Sequence, residues 1–259
     1  MQISLDNHFS DLCTSGRKCL VPYLTAGLEG WTECLQAAAE AGADAVEVGI
    51  PFSDPVMDGP IIQQASDKSL AAGTTPDSII ANLAKSPPPV PTIVMTYTNI
   101  AHHMGYDRFA RSLADAGVSG AILADLPLNE ASPWCEAADA SGIATILLAA
   151  PTSSDDRCRA IAERSRGFIY AVGLLGVTGE RERLADSATV VASRLKALTN
   201  KPVLVGVGVS TPDQAVEASR VADGVVVGSA FVRRMLEGAS PENIGEVVGE
   251  FRTALDTLA

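Results

Sequence analysis

Short apolar runs alternate along the chain with longer stretches whose apolar positions recur at helical spacing. The short runs are 20–25, 45–49, 92–96, 121–125, 145–149, 167–172, 203–207 and 225–228. They are nearly continuous Val, Ile, Leu and Ala with no polar alternation. Strands buried on both faces read this way, as parallel strands do when helices cover them. The helical stretches between them are 31–41, 60–71, 106–116, 129–140, 154–164, 187–197 and 211–219, and the chain closes with 241–258. Thr211-Pro212-Asp213 places a capping hydroxyl before a first-turn proline, and Ser153-Ser154 precedes Asp155-Asp156. Ala41-Gly42, Ala116-Gly117 and Ser141-Gly142 end helices on glycine.

Eight strand–helix units predict a (β/α)8 TIM barrel over residues 1–259, one domain with a short N-terminal helix before the first strand. An open doubly wound sheet would call for G-x-G-x-x-G after its first strand, and Thr25-Ala26-Gly27-Leu28-Glu29-Gly30 lacks it. Pro87-Pro88-Pro89 reads as a stiff spacer entering the third strand, not as a domain boundary.

Composition narrows the partners. The chain carries 19 Lys and Arg against 31 Asp and Glu, a net charge of −12. Such a surface repels nucleic acid and anionic lipid. A small anionic ligand is still compatible, because helix N-termini bind anions through local N–H groups. The first residues have no basic or apolar segment of a signal peptide, and no apolar run reaches the roughly 18 residues of a membrane span. Five widely spaced cysteines without C-x-x-C read as reduced thiols of a cytoplasmic protein. His8, His102 and His103 have no ligand spacing for a metal.

A barrel places its chemistry at the C-terminal ends of its strands. There, Glu47 stands inside the apolar run Val46-Glu47-Val48-Gly49. A carboxyl group so placed is either a salt-bridged core residue, uncommon because burying an unpaired charge is costly, or a group with a raised pKa suited to acid/base work. Asp58 follows in the loop 51–60, either as a cap for the next helix or as a second group converging on a substrate. Asp125 ends the fourth strand, as a polar group behind the site or as a structural cap. The last units carry Gly176-Val177-Thr178-Gly179, Gly206-Val207-Gly208 and Gly228-Ser229. Glycines there let backbone N–H groups approach an anion, and loops after the last barrel strands frequently bind phosphate.

Together these residues resemble the tryptophan synthase alpha subunit family. The specific stretch is Val46-Glu47-Val48-Gly49-Ile50-Pro51-Phe52-Ser53-Asp54-Pro55-Val56-Met57-Asp58-Gly59-Pro60. It is supported by Pro22–Gly27, Val94–Asn99, Ala124–Pro127, Tyr170 with 176–179, and Ala222–Ala230. The resemblance implies retro-aldol cleavage of indole-3-glycerol phosphate to indole and glyceraldehyde 3-phosphate, without a cofactor or metal. It implies Glu47 and Asp58 as catalytic groups. Tyr170, Phe52, Tyr97 and Asp125 would bind substrate, with Phe52 placed equally well at a partner contact. Gly179, Gly208, Gly228 and Ser229 would hold the phosphate, and the segment 173–183 would close over the substrate. The implied partner is a pyridoxal-phosphate beta subunit in an alpha2-beta2 complex, docking through Asp54, Pro55 and Asn99. Gly173, where relatives usually carry Ser, and the stretch around His102-His103 depart from the family pattern. Two rival readings are a stand-alone lyase that releases free indole and a non-catalytic activating subunit.

Overall fold

The computed structural model describes residues 4–173, 181–206 and 208–258, and for residues 181–186 the backbone alone. Its strands are β1 (Cys19–Thr25), β2 (Val46–Gly49), β3 (Thr92–Thr96), β4 (Gly120–Leu123), β5 (Ala144–Thr145), β6 (Leu147–Ala149), β7 (Ile169–Ala171), β8 (Val203–Val205) and β9 (Gly224–Val227). Every described pairing is parallel, and the order is β5-β4-β3-β2-β1-β9-β8-β7-β6.

The two ends of that order are consecutive in the chain. β5 pairs with β4 and β6 with β7, while Ile146 between them still donates its N–H to Ala121 at 3.2 Å. The stretch 144–149 is therefore one barrel strand that hands its hydrogen bonds from one neighbour to the next. With it the sheet closes as the eight-stranded barrel that the apolar runs predict.

The helices are α1 (Leu5–Thr14), α2 (Trp31–Glu40), α3 (Pro60–Ala71), α4 (Pro76–Lys85), α5 (Thr98–Met104), α6 (Tyr106–Asp115), α7 (Ser132–Ala140), α8 (Asp155–Arg164), α9 (Arg181–Leu198), α10 (Pro212–Ser219), α11 (Ser229–Leu236) and α12 (Pro241–Leu255). α1 is the expected short N-terminal helix, whereas α4, α5 and α11 are not among the predicted stretches. The predicted helix 129–140 is broken into a 3-10 turn, Leu128–Glu130, and α7. Pro133 in the first turn of α7 has no N–H to continue a helix from the preceding turn.

α1 plugs the N-terminal end of the barrel. Ser4 caps it, and its buried Leu5 and Phe9 face inward. Phe9 meets Phe168 edge-on at 5.0 Å, and Asp6 accepts the Gly167 N–H at 2.8 Å. On the same face the Asp44 carboxylate is almost fully buried. It accepts from Leu20 N–H at 2.8 Å, from Arg17 Nε at 2.6 Å and from Arg252 Nη1 at 3.1 Å. That network ties β1 to α12 and seals one end, which leaves the opposite mouth open for chemistry.

Candidate active site at the barrel mouth

A cavity of about 750 Å³ opens at the C-terminal ends of the strands. Glu47 lies in its wall, on β2, with Tyr23 of β1 and Ile93 of β3 as its register partners. It is fully buried, and neither carboxylate oxygen has a hydrogen-bond partner among the described residues. Burial penalises the ionised form, and the nearby Asp58 charge penalises it further, so the Glu47 pKa is pushed up to about 8.

Asp58 comes from the loop between β2 and α3. The residue that caps α3 is Gly59, without a side-chain hydrogen bond, so the capping alternative for Asp58 does not hold. Its carboxylate instead lines the same cavity as Glu47. The loop is pinned through its backbone: Asp58 N–H donates to Pro55 at 3.0 Å, and Met57 N–H donates to the Tyr97 hydroxyl at 3.0 Å. Burial raises the Asp58 pKa to about 6, and a hydrogen bond with the Tyr97 hydroxyl opposes that rise. At neutral pH the cavity thus holds one neutral carboxylic acid and one carboxylate.

Tyr170, on β7, is buried in the cavity wall. Its ring fills the space a Cβ on Gly206 would need, and its hydroxyl donates weakly to Gly206 O at 3.5 Å. The other predicted substrate-binding side chains stand elsewhere. Phe52 and Tyr97 stack on each other at 5.0 Å behind the Asp58 loop, outside the cavity lining. Two aromatics next to a polar loop satisfy one another there and fix the loop's backbone. Asp125 accepts from the Thr98 N–H at 2.7 Å and from Thr98 Oγ1 at 2.8 Å, so it caps α5. It faces a separate recess of about 690 Å³ with His102, Tyr106 and Glu130.

Gly208, Gly228 and Ser229 all line the cavity, the last two at the start of α11. The first-turn N–H groups of a helix have no intrahelical acceptor, and the helix dipole adds to their pull on an anion. Gly208 has φ of +85°, a conformation that side-chain-bearing residues rarely take. Gly179 lies outside the described residues, as does most of the segment 173–183. Tyr23, Arg233 and Arg234 also line the cavity, and the sequence reading gives none of them a role. Arg233 and Arg234 follow Gly228-Ser229 by about one helical turn, a legible signal once α11 is recognised.

Asp54 and Asn99 are exposed and Pro55 half-exposed on the loops around the mouth, beside Val56, which is 73% exposed. The described residues contain no cluster of three metal-ligating side chains and no helix long and apolar enough to cross a membrane.

Comparison with known proteins places this geometry. The family model for the tryptophan synthase alpha chain matches residues 9–255. The chain is 43% identical over 247 residues to the tryptophan synthase alpha chain of Thermobifida fusca, covering 93% of this chain and 92% of that one. It is 43% identical over 248 residues to that of Streptomyces coelicolor, covering 94% and 91%. Among solved structures, a Mycobacterium tuberculosis tryptophan synthase superimposes with a TM-score of 0.88 at 36% identity, over 98% of this chain and 99% of that one. The tryptophan synthase alpha subunit of Legionella pneumophila gives 0.87 at 31% identity, over 98% and 99%.

Proposed function

This chain belongs to the tryptophan synthase alpha chain family, and on that premise we propose how its own residues carry the reaction. The chain is a carbon–carbon lyase that cleaves indole-3-glycerol phosphate to indole and glyceraldehyde 3-phosphate. Glu47, protonated at neutral pH, gives its proton to indole C3, and the ring becomes a cationic indolenine. Asp58, ionised, accepts a hydrogen bond from the indole N–H and stabilises that positive charge. The bond between C3 and the glycerol chain then breaks. Its electron pair returns to the ring, and the adjacent hydroxyl loses its proton to the Glu47 carboxylate as the aldehyde forms. The two carboxyl groups are suited to opposite roles because their surroundings hold their pKa values apart, near 8 and near 6.

Met95, Ile122 and Leu148 give the cavity an apolar wall for the indole ring. The phosphate lies against backbone N–H groups at Gly208, Gly228 and Ser229, with Gly179 as a fourth contact. Tyr170 stands beside the reacting chain. Phe52 and Tyr97 act through the Asp58 loop, and Asp125 through α5, rather than by touching substrate.

A beta subunit of tryptophan synthase is the partner, docking over the loops that carry Asp54, Pro55 and Asn99 in an alpha2-beta2 assembly. The exposed Val56 on that rim suits such a contact. A purely activating subunit would have no need of a buried, unpartnered carboxylate in an open cavity, which speaks against that reading.

The observation that carries the proposal is the convergence of Glu47 and Asp58 on one cavity, with Glu47 held neutral. Indole release by the Glu47→Gln and Asp58→Asn variants tests it. Each loses at least the roughly 100-fold expected of a positioned acid/base group. Near-normal turnover in either removes that residue from the mechanism.

A further inference from the structure

Tyr23 has no place in the chemistry so far, yet its ring spans from Gly49, two positions after Glu47, to Gly228 at the phosphate end. It is the register partner of Glu47 across the β1–β2 pair. Side chains two apart on a strand share a face. Tyr23 and Thr25 on β1 therefore face the barrel interior beside Glu47 and Gly49 on β2. Gly49 has no side chain, and the Tyr23 hydroxyl occupies the space its Cβ would take. Glu47 is the next position on that same face of β2. The other edge of the Tyr23 ring lies 3.4 Å from where a Cβ on Gly228 would stand, at the phosphate end. Tyr23 lines the cavity and is only 8% exposed.

Both carboxylate oxygens of Glu47 are buried here without a partner among the described residues, and the Tyr23 hydroxyl lies beside the Thr25 side chain. A neutral Glu47 tolerates this. An ionised one does not, and the reaction passes through an ionised Glu47 each time the proton is given to carbon. The desolvated anion then needs a donor within reach, and the Tyr23 hydroxyl over Gly49 is one short reorientation away from it.

We propose that Tyr23 is the positioning residue for Glu47, its hydroxyl donating to the Glu47 carboxylate while that group is ionised during turnover. No covalent bond changes and Tyr23 keeps its proton throughout. Gly49 is glycine so that the phenol reaches over β2, and the ring's contact with Gly228 fixes the same phenol relative to the phosphate cradle. The inference rests on Glu47 being the acid of the proposed reaction. The ionisable groups facing Glu47 are Tyr23 from β1, Asp58 from the loop after β2 and Tyr170 from β7.

The test is Tyr23→Phe, which keeps the ring between Gly49 and Gly228 and removes only the hydroxyl. A hydrogen bond to a charged group predicts a fall in kcat of about tenfold at pH 7, with KM within twofold of wild type. Loss of a donor to the ionised form raises the Glu47 pKa, so the basic limb of the kcat profile moves up by about one pH unit. Titration of the Glu47 carboxyl by 13C NMR reads the same displacement without substrate, with Glu47→Gln to assign the signal. An unmoved limb and kcat within twofold overturn the inference, as does an effect confined to KM, which would make Tyr23 a packing contact for substrate. A Tyr23→Phe chain that fails to fold also overturns it, since the phenol would then serve the barrel and not Glu47. These failures are distinct from failure of the proposed mechanism, which would show as retained turnover in Glu47→Gln.

Discussion

Replacing Glu47 by Gln should make the protein more stable, by an amount that grows with pH. Glu47 holds its proton in the folded chain up to about pH 8, against an ordinary value of 4.5. Between those values unfolding releases a proton, because the exposed carboxyl ionises while the buried one does not. Stability therefore falls as pH rises through that window, at up to about 1.4 kcal/mol per unit, and levels off above about pH 8. Below the ordinary carboxyl range both states are protonated and nothing is lost. Over the full window the loss amounts to about 5 kcal/mol, since Glu47 is fully buried and no solvent screens it. Gln cannot ionise and escapes this loss. Urea unfolding of wild type and Glu47→Gln at unit steps from pH 5 to 9 reads the difference directly. The variant's advantage should widen steadily to about pH 8 and then stay constant. A difference that stays within about 1 kcal/mol over that range would show that Glu47 ionises normally and would remove the physical basis for its role as an acid.

Other consequences are equally concrete. Gly208→Val forces a β-branched residue into φ of +85° beside the phosphate cradle, so the melting temperature should fall by several degrees, while KM for indole-3-glycerol phosphate, measured well below that temperature, should rise at least about tenfold. An unaltered KM places the phosphate elsewhere. Asp44→Ala removes the buried acceptor shared by Leu20 N–H, Arg17 and Arg252, leaving Arg252 with Asp256 alone, and should cost about 2–3 kcal/mol in chemical denaturation while sparing KM. A cost below about 1 kcal/mol would mean the network is not what seals that end. Calorimetric titration with a tryptophan synthase beta subunit should show weaker binding for an Asp54→Ala, Pro55→Gly variant than for the parent chain, and equal binding would move the contact to another face.

The barrel was legible because its strands are buried on both faces, which suppresses polar alternation and leaves unmistakable apolar runs. Glu47 stood out for the same reason: a lone carboxylate in such a run is costly and therefore meaningful. Helices that rest on short or distant signals were harder to see. α4 is announced by Thr75-Pro76-Asp77-Ser78, which forms a capping box, and a search for caps rather than periodicity would have found it. α5 takes its cap from Asp125, which approaches Thr98 from another strand, so no local signal exists. α11 was hidden by its own first residue, because Ser229 reads as the end of a phosphate turn while it is also the start of a helix. The aromatic residues show the limit most clearly. Phe52 and Tyr97 sit at the right place in the chain to touch substrate, but only the fold reveals that they stack on each other. Tyr23 is an ordinary strand tyrosine until register sets it beside Glu47.

The central claim is that one cavity holds a neutral acid and an ionised carboxylate at the same time. The pH dependence of kcat/KM for indole release tests it most directly. The active form has Asp58 ionised and Glu47 protonated, so the rate should rise through about pH 6, peak near neutrality and fall through about pH 8. In Asp58→Asn the residual activity should lose the acidic limb, and in Glu47→Gln the basic one. A rate that stays level from pH 5 to 9, or limbs that persist unchanged in both amide variants, would contradict the assignment of these two carboxyl groups.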